Sequence, residues 1–341
     1  MSSSNFEITP LGFPWATEDP FLFCAYHRDE YPRGNENLGP KASLSGRNLG
    51  QDFNIKDGFR MYHGEIVPGF PAHPHCGFET VTVVQEGVVD HADSLGAAGR
   101  YSSGDVQWMT AGSGVQHSEM FPLLEKDVEN PLEIFQLWLN LPKVSKDVPP
   151  HFSMLWEEEI PTVKLEDPRG KRTEIRLIHG AYGDVNGGTS NPNSWASDPR
   201  NHVVIWTLKM EPNATVVLPK SSISVPRNAY FYKGGTLKMS GESIPVFSRI
   251  KSNSQENWEI VNGSQVSHLL ILQGKPLLEP VAKYGPFVAN SQYEIQEIFQ
   301  KFQETQFGGW PWGDLDYTHG PLRGRFAKHA DGQEEDRGPV K

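Results

Sequence analysis

Short runs of β-branched and aromatic residues, punctuated by glycine, aspartate or proline, fill the chain from Gly58 to Leu141. The runs at 59–62, 79–85, 87–91, 106–109 and 132–139 mostly have strand length, about four to eight residues. Glycines from Gly69 to Gly114 mark bends between them, as an antiparallel barrel or sandwich with tight corners requires. Runs at 174–178, 203–210, 215–218, 229–232, 236–239 and 268–272 repeat the style, so the second half echoes the first. Residues 142–159, with Pro149-Pro150 and a run of three glutamates after Trp156, read as a connector with at most one helical turn. The stretch 180–201, rich in glycine, asparagine and serine around Trp195, is long for a compact domain and predicts a lid or a mobile loop. One helix is clear. Ser291 and Glu294 form its capping box, Ile295, Ile298, Phe299 and Phe302 its apolar stripe, and Gly308-Gly309 its stop. The stripe is expected on a sheet, Trp310 and Trp312 against the barrel, and the polar end from about Asp331 frayed. The pattern predicts an all-β protein with a C-terminal helix, divided into 1–147, 148–288 and a helix-and-tail segment 289–341.

Composition narrows the class. A chain of 341 residues holds roughly two domains, each large enough for its own core. Lys and Arg number 31 against 42 Asp and Glu, and the net charge of −11 comes without any dense basic block. A wide phosphate-binding face is therefore not expected, and nucleic acid is set aside as a direct partner. Cys24 and Cys76 are the two cysteines and lie in no CxxC, which excludes a disulfide scaffold and fits reduced thiols in a cytosol. The N-terminus, Met-Ser-Ser-Ser-Asn-Phe-Glu, has no basic segment leading into an apolar stretch, and nowhere do about 18 apolar residues run together. Neither an export signal nor a membrane partner is expected, and the expected compartment is the cytoplasm.

Candidate chemistry gathers at 70–79, Phe-Pro-Ala-His-Pro-His-Cys-Gly-Phe-Glu. Pro74 suits an extended segment rather than a helix interior, and side chains two apart on a strand share a face, so His73 and His75 reach one point. His117 and Glu119, just after the Gly112-Ser-Gly114 turn, repeat the arrangement. Three neutral imidazoles and one carboxylate form a donor set that suits Fe(II), Mn, Ni, Cu or Zn and leaves room for water or substrate. Glu79 lies at an even offset from His75 and competes with Glu119 as the carboxylate if the strand runs unbroken through Gly77. The losing glutamate is then an outer hydrogen-bond acceptor or an ordinary strand residue. Cys76, at odd offset from both histidines, is expected to face away from the cation. His91 reads as a solvated strand residue that could approach the cavity.

His-Pro-His-x-Gly-Phe-Glu-Thr-Val, Asp-Ser-Leu-Gly, Gly-Asp-Val-Gln-Trp-Met-Thr-Ala-Gly and His-Ser-Glu-Met occur in this order between His73 and Met120. Phe-Gln-Leu-Trp-Leu-Asn-Leu-Pro at 135–142 and Glu-Pro-Val-Ala-Lys-Tyr-Gly-Pro-Phe-Val at 279–288 extend the pattern, and the whole resembles the pirin family of bicupins. The resemblance implies two tandem cupin barrels of jelly-roll type, with a metal, usually iron, only in the N-terminal one. It implies His73, His75, His117 and Glu119 as ligands, favouring Glu119 over Glu79, and places Phe70 and Gln136 beside the metal cavity. The second barrel lacks a His-x-His pair, and His202 and His268 stand alone, which fits a metal-free half. Cys76 departs from the family, where arginine is common, and the 180–201 stretch is longer than the family leads one to expect. Pirins are linked to quercetin 2,3-dioxygenase activity. That implies a flavonol-like aromatic or enol substrate plus O₂, Fe(2+) as cofactor, and Glu119 as both ligand and catalytic base. The alternative is a non-enzymatic regulator whose iron redox state controls binding of a protein partner.

Overall fold

The computed structural model describes residues 6–253 and 255–341. The first five residues, within the segment on which the export-signal expectation rests, lie outside the described residues. The chain divides into two compact units, neither continuous in sequence. One holds Ala25–Glu157 together with Glu279–Lys341, and the other holds the described residues up to Cys24 together with Glu158–Leu278. The contiguous segments read from the sequence differ from this division, because each unit recruits strands or turns from a distant part of the chain.

The unit built around Ala25–Glu157 contains a five-stranded and a six-stranded sheet. The five-stranded sheet runs His151–Leu155, Val106–Thr110, Phe78–Glu86, Asn130–Asn140 and Phe21–Tyr31 in spatial order. The six-stranded sheet runs Glu334–Asp336, Phe326–Lys328, Ala98–Ser102, Val88–Asp93, Val115–Met120 and Gly69–His75. Ala98–Ser102 and Val106–Thr110 are buried at every position. Unbroken burial marks strands covered on both faces rather than one. Tyr31, Phe59, Tyr101, Met109, Phe121 and Trp156 belong to the core between them.

Three elements depart from expectation. Residues 59–62 form isolated bridges at Phe59 and Tyr62 instead of a strand. The connector contains the strand His151–Leu155, paired along its length with Val106–Thr110. The polar tail is ordered: Phe326–Lys328 pairs with Ala98–Ser102 on one side and with Glu334–Asp336 on the other. Arg325 explains that order, because its guanidinium donates twice, at 2.8 Å each, to the buried Asp105 carboxylate.

The helix Gln292–Thr305 begins as its capping box predicts, with Glu294 N donating to Ser291 Oγ at 3.2 Å. It ends at left-handed Gln306, just ahead of the glycine pair. Its stripe packs against Phe287, Ala282 and Cys76, on and beside the hairpin formed by Ala282–Tyr284 and Phe287–Ala289. Trp312 Nε1 donates to the Asp93 carbonyl at 2.8 Å.

In the second unit, a seven-stranded sheet ordered Glu7–Pro10, Ser248–Asn253, Pro226–Lys233, Ser267–Gln273, Val204–Met210, Arg172–His179 and Thr162–Glu166 accompanies a four-stranded one. Trp206, Phe231, Ile250, Trp258, Leu269 and Ile271 belong to its core. Residues 180–201 are folded: they hold a two-residue hairpin and two short 3-10 turns, and Trp195 Nε1 donates to the Lys275 carbonyl at 2.8 Å. Among the described residues no helix is long and apolar enough to cross a membrane. Both cysteines are free and buried.

Candidate metal centre

Gly69–His75 pairs antiparallel with Val115–Met120, and the register sets His73 opposite His117. His75 follows His73 and Glu119 follows His117 onto one face at two-residue spacing. A bulge between Phe70 and His73 brings Phe70 opposite Glu119 despite its odd offset, and its ring lies 6.2 Å from His73. Ring centroids are 4.5 Å apart for His73 and His117, 4.8 Å for His73 and His75, and 4.9 Å for His75 and His117. One nitrogen from each ring lies within 4.8 Å of the others.

Burial controls the charge of these rings. It pulls His73 down to about 4 and pushes His75 and His117 well below the ordinary histidine range, with the neighbouring imidazoles adding to the shift. All three are therefore neutral near pH 7 and keep a lone pair. His73 Nδ1–H donates to the Pro71 carbonyl at 2.9 Å, which leaves Nε2 as the accepting atom. His75 Nδ1 and His117 Nε2 are buried without any hydrogen-bond partner. Orphaned buried nitrogens are costly unless something fills the space they share. A divalent transition ion fits them, since neutral imidazoles and a carboxylate are its usual donors.

Glu119 supplies the carboxylate next to this cluster, with Oε2 3.9 Å from His117 Nε2. Gln136 Nε2 donates to Glu119 Oε2 at 3.0 Å, while Thr82 Oγ1 lies 2.8 Å from Glu119 Oε1 and 2.5 Å from Gln136 Oε1. Thr82 and Gln136 are register partners in the facing sheet, so the carboxylate is held from across the barrel. Burial raises Glu119, and the hydrogen bonds from Thr82, Tyr101 and Gln136 work against that rise. With a single hydroxyl proton, Thr82 donates to one of these two neighbouring oxygens at a time.

Glu79 stands elsewhere. Its strand is in continuous register from Phe78 to Val84, so at odd offset from Thr82 it faces the opposite side, and it accepts from Thr110 Oγ1 at 2.7 Å. The strand carrying the histidines stops at His75, and Gly77 turns the chain at φ +83°, where any side chain would collide with the Val288 carbonyl. The unbroken strand that would put Glu79 on the histidine face does not form. Cys76 turns its thiol to the Gly112 carbonyl at 3.3 Å, and burial pushes it up to about 12.

Several neighbours were not singled out in the sequence, and one was read differently. His91 is fully buried rather than solvated. It pairs in register with Glu119, and its Nδ1 lies 3.4 Å from His117 Nδ1, on the side of that ring away from the orphaned nitrogen. Trp138 sits 5.5 Å from His75, and Tyr62 and Phe121 stand 5.0 and 6.1 Å from Phe70. Thr82 and Tyr101 carry no local signal; only strand register reveals them.

Comparison with known proteins finds relatives over most of the chain. The family model described as Pirin matches residues 35–139, and the one described as Pirin C-terminal cupin domain matches residues 205–308. A Pseudomonas aeruginosa protein named "Putative quercetin 2,3-dioxygenase" is 37% identical over 244 residues, covering 70% of this chain and 79% of its own. Pirin-1 of Arabidopsis thaliana is 34% identical over 250 residues, covering 70% of this chain and 78% of its own. The crystal structure of a quercetin 2,3-dioxygenase from Acinetobacter baumannii superposes with a TM-score of 0.67 at 27% identity, covering 85% of this chain and 87% of that one. With two cupin domains, mostly β structure and one C-terminal helix, the chain belongs to the pirin family.

Proposed function

We propose that this protein is a metal-dependent dioxygenase of the quercetin 2,3-dioxygenase type, acting on a flavonol or a related enol. His73, His75, His117 and Glu119 would hold the ion, iron(II) by the family resemblance. The observation that carries the reading is the pair of orphaned nitrogens on His75 and His117 beside the Glu119 carboxylate. A divalent ion in that place supplies Lewis acidity, which lowers the pKa of a coordinated hydroxyl.

The chain's own residues supply the rest. Glu119 takes the enol proton of the substrate, and its burial makes it a stronger proton acceptor than an ordinary carboxylate. Gln136 and Thr82 fix the carboxylate so that the accepting oxygen keeps one orientation. Phe70, backed by Tyr62 and Phe121, offers a ring surface for a flat aromatic substrate. Buried walls keep bulk water from the deprotonated substrate while O₂ opens its ring.

Anaerobic loading with Fe(II), followed by quercetin and O₂, tests the reading. CO release and loss of the flavonol absorbance are expected in the wild type and absent in His117→Ala. A fully loaded protein that consumes no substrate would remove the enzymatic reading and leave the partner-binding regulator.

A further inference from the structure

The second unit contains a cavity of about 510 Å³ at one end of its seven-stranded sheet, well within the range of about 300 to 1,000 Å³ that small-molecule sites occupy. Val204, Gln273 and Arg227 are register partners on three neighbouring strands and form one row of its lining. Trp206, Ile271 and Ala229, two residues further along the same strands, share that face and belong to the core. The row therefore stands where the buried interior of the sheet opens. Residues of the 180–201 stretch form the opposite wall, and His179 ties them down through contacts of 2.9 and 3.1 Å to the Gly188 and Ala196 carbonyls.

The charge of this lining runs against the composition of the protein. The chain carries 42 acidic residues, yet the cavity is lined by Arg227, Lys220, His179 and His202 and by no aspartate or glutamate. Arg227 is 2% exposed. Its Nε donates to Gln273 Oε1 at 2.8 Å and its Nη2 to the Pro219 carbonyl at 2.9 Å, while Nη1 has no partner. This guanidinium has no carboxylate beside it, only neutral acceptors and the Trp258 ring 5.3 Å away, and its planar fork suits an incoming carboxylate. Burial pulls Arg227 down to about 10, so it is still charged at pH 7. Trp206, Val203, Val204 and Pro192 give the rest of the cavity an apolar character.

We propose that this cavity is a binding site for a small organic carboxylate with an apolar body. The carboxylate meets Arg227, with Lys220 at the rim, and the body lies against Trp206 and Val204. The site is separate from the metal centre and does not depend on the proposed dioxygenase reading.

Titration calorimetry on the full chain tests this with 1-naphthoate, its neutral counterpart 1-naphthalenemethanol, and inorganic phosphate. The acid is expected to bind saturably and at least about tenfold more tightly than the alcohol, and phosphate not to compete, as a charge-assisted contact inside an apolar site requires. Arg227→Gln is expected to weaken the acid at least about tenfold, and His117→Ala, which disrupts the metal centre, to leave it unchanged. Should Arg227→Gln fail to fold, the exposed Lys220→Ala, expected to cost about threefold, and the acid-to-alcohol ratio decide instead. The proposal is overturned if naphthoate, benzoate and phenylacetate all fail to bind, or if acid and alcohol bind equally. It is likewise overturned if phosphate displaces the acid, or if His117→Ala alone abolishes binding.

Discussion

At the scale of single residues, the proposed centre separates groups that would hold a cation from groups that hold the holders. His117→Ala and Glu119→Ala are expected to lose the metal by elemental analysis, whereas Glu79→Gln, whose carboxylate faces Thr110, is expected to keep it. Thr82→Val leaves the donor set intact but frees the Glu119 carboxylate, so the metal should stay while kcat/KM falls roughly 10- to 100-fold. The histidines also set a pH dependence. The folded value of about 4 for His73 lies below the ordinary 6.5, so the native state refuses protons that the unfolded chain accepts. His75 and His117 shift the same way. In metal-free protein, stability is expected to be lost as pH falls from about 6.5 toward 4, and urea unfolding at three pH values reads it. The histidine pairs were legible because two-residue spacing is a property of one strand. Thr82 was not, and His91 was read as solvated, because both reach the site through pairing between strands, which spacing does not encode.

At the scale of elements, the strands that sequence pattern predicts are those whose apolar residues are local and continuous, such as Thr215–Leu218 and Val106–Thr110. Residues 59–62 carry the same composition but no neighbouring strand pairs with more than single positions there. The tail misleads in the opposite direction. Its polar residues read as frayed, yet its order comes from Asp105, far away in sequence. Arg325→Ala leaves that buried carboxylate without its bidentate partner, and a loss of about 3 to 5 kcal/mol in denaturant unfolding is expected. The helix start depends on purely local chemistry, so Ser291→Ala should cost only about 1 kcal/mol.

At the scale of the molecule, two cupin domains of the same style carry different interiors, one lined by neutral imidazoles and the other by a buried guanidinium with no carboxylate partner. Metal occupancy should therefore stabilise one unit specifically. At a free ion concentration one hundred times Kd the gain is about 2.7 kcal/mol, and calorimetry before and after chelation should show a lower Tm for the metal-free protein. The interleaved division has a temporal consequence during synthesis. The sheet bearing the histidines receives its last two strands from Phe326–Lys328 and Glu334–Asp336, so the unit with most of its strands in the first half of the chain is the one completed last. A nascent chain would have every strand of the other unit before these two strands could add to the edge of the histidine-bearing sheet.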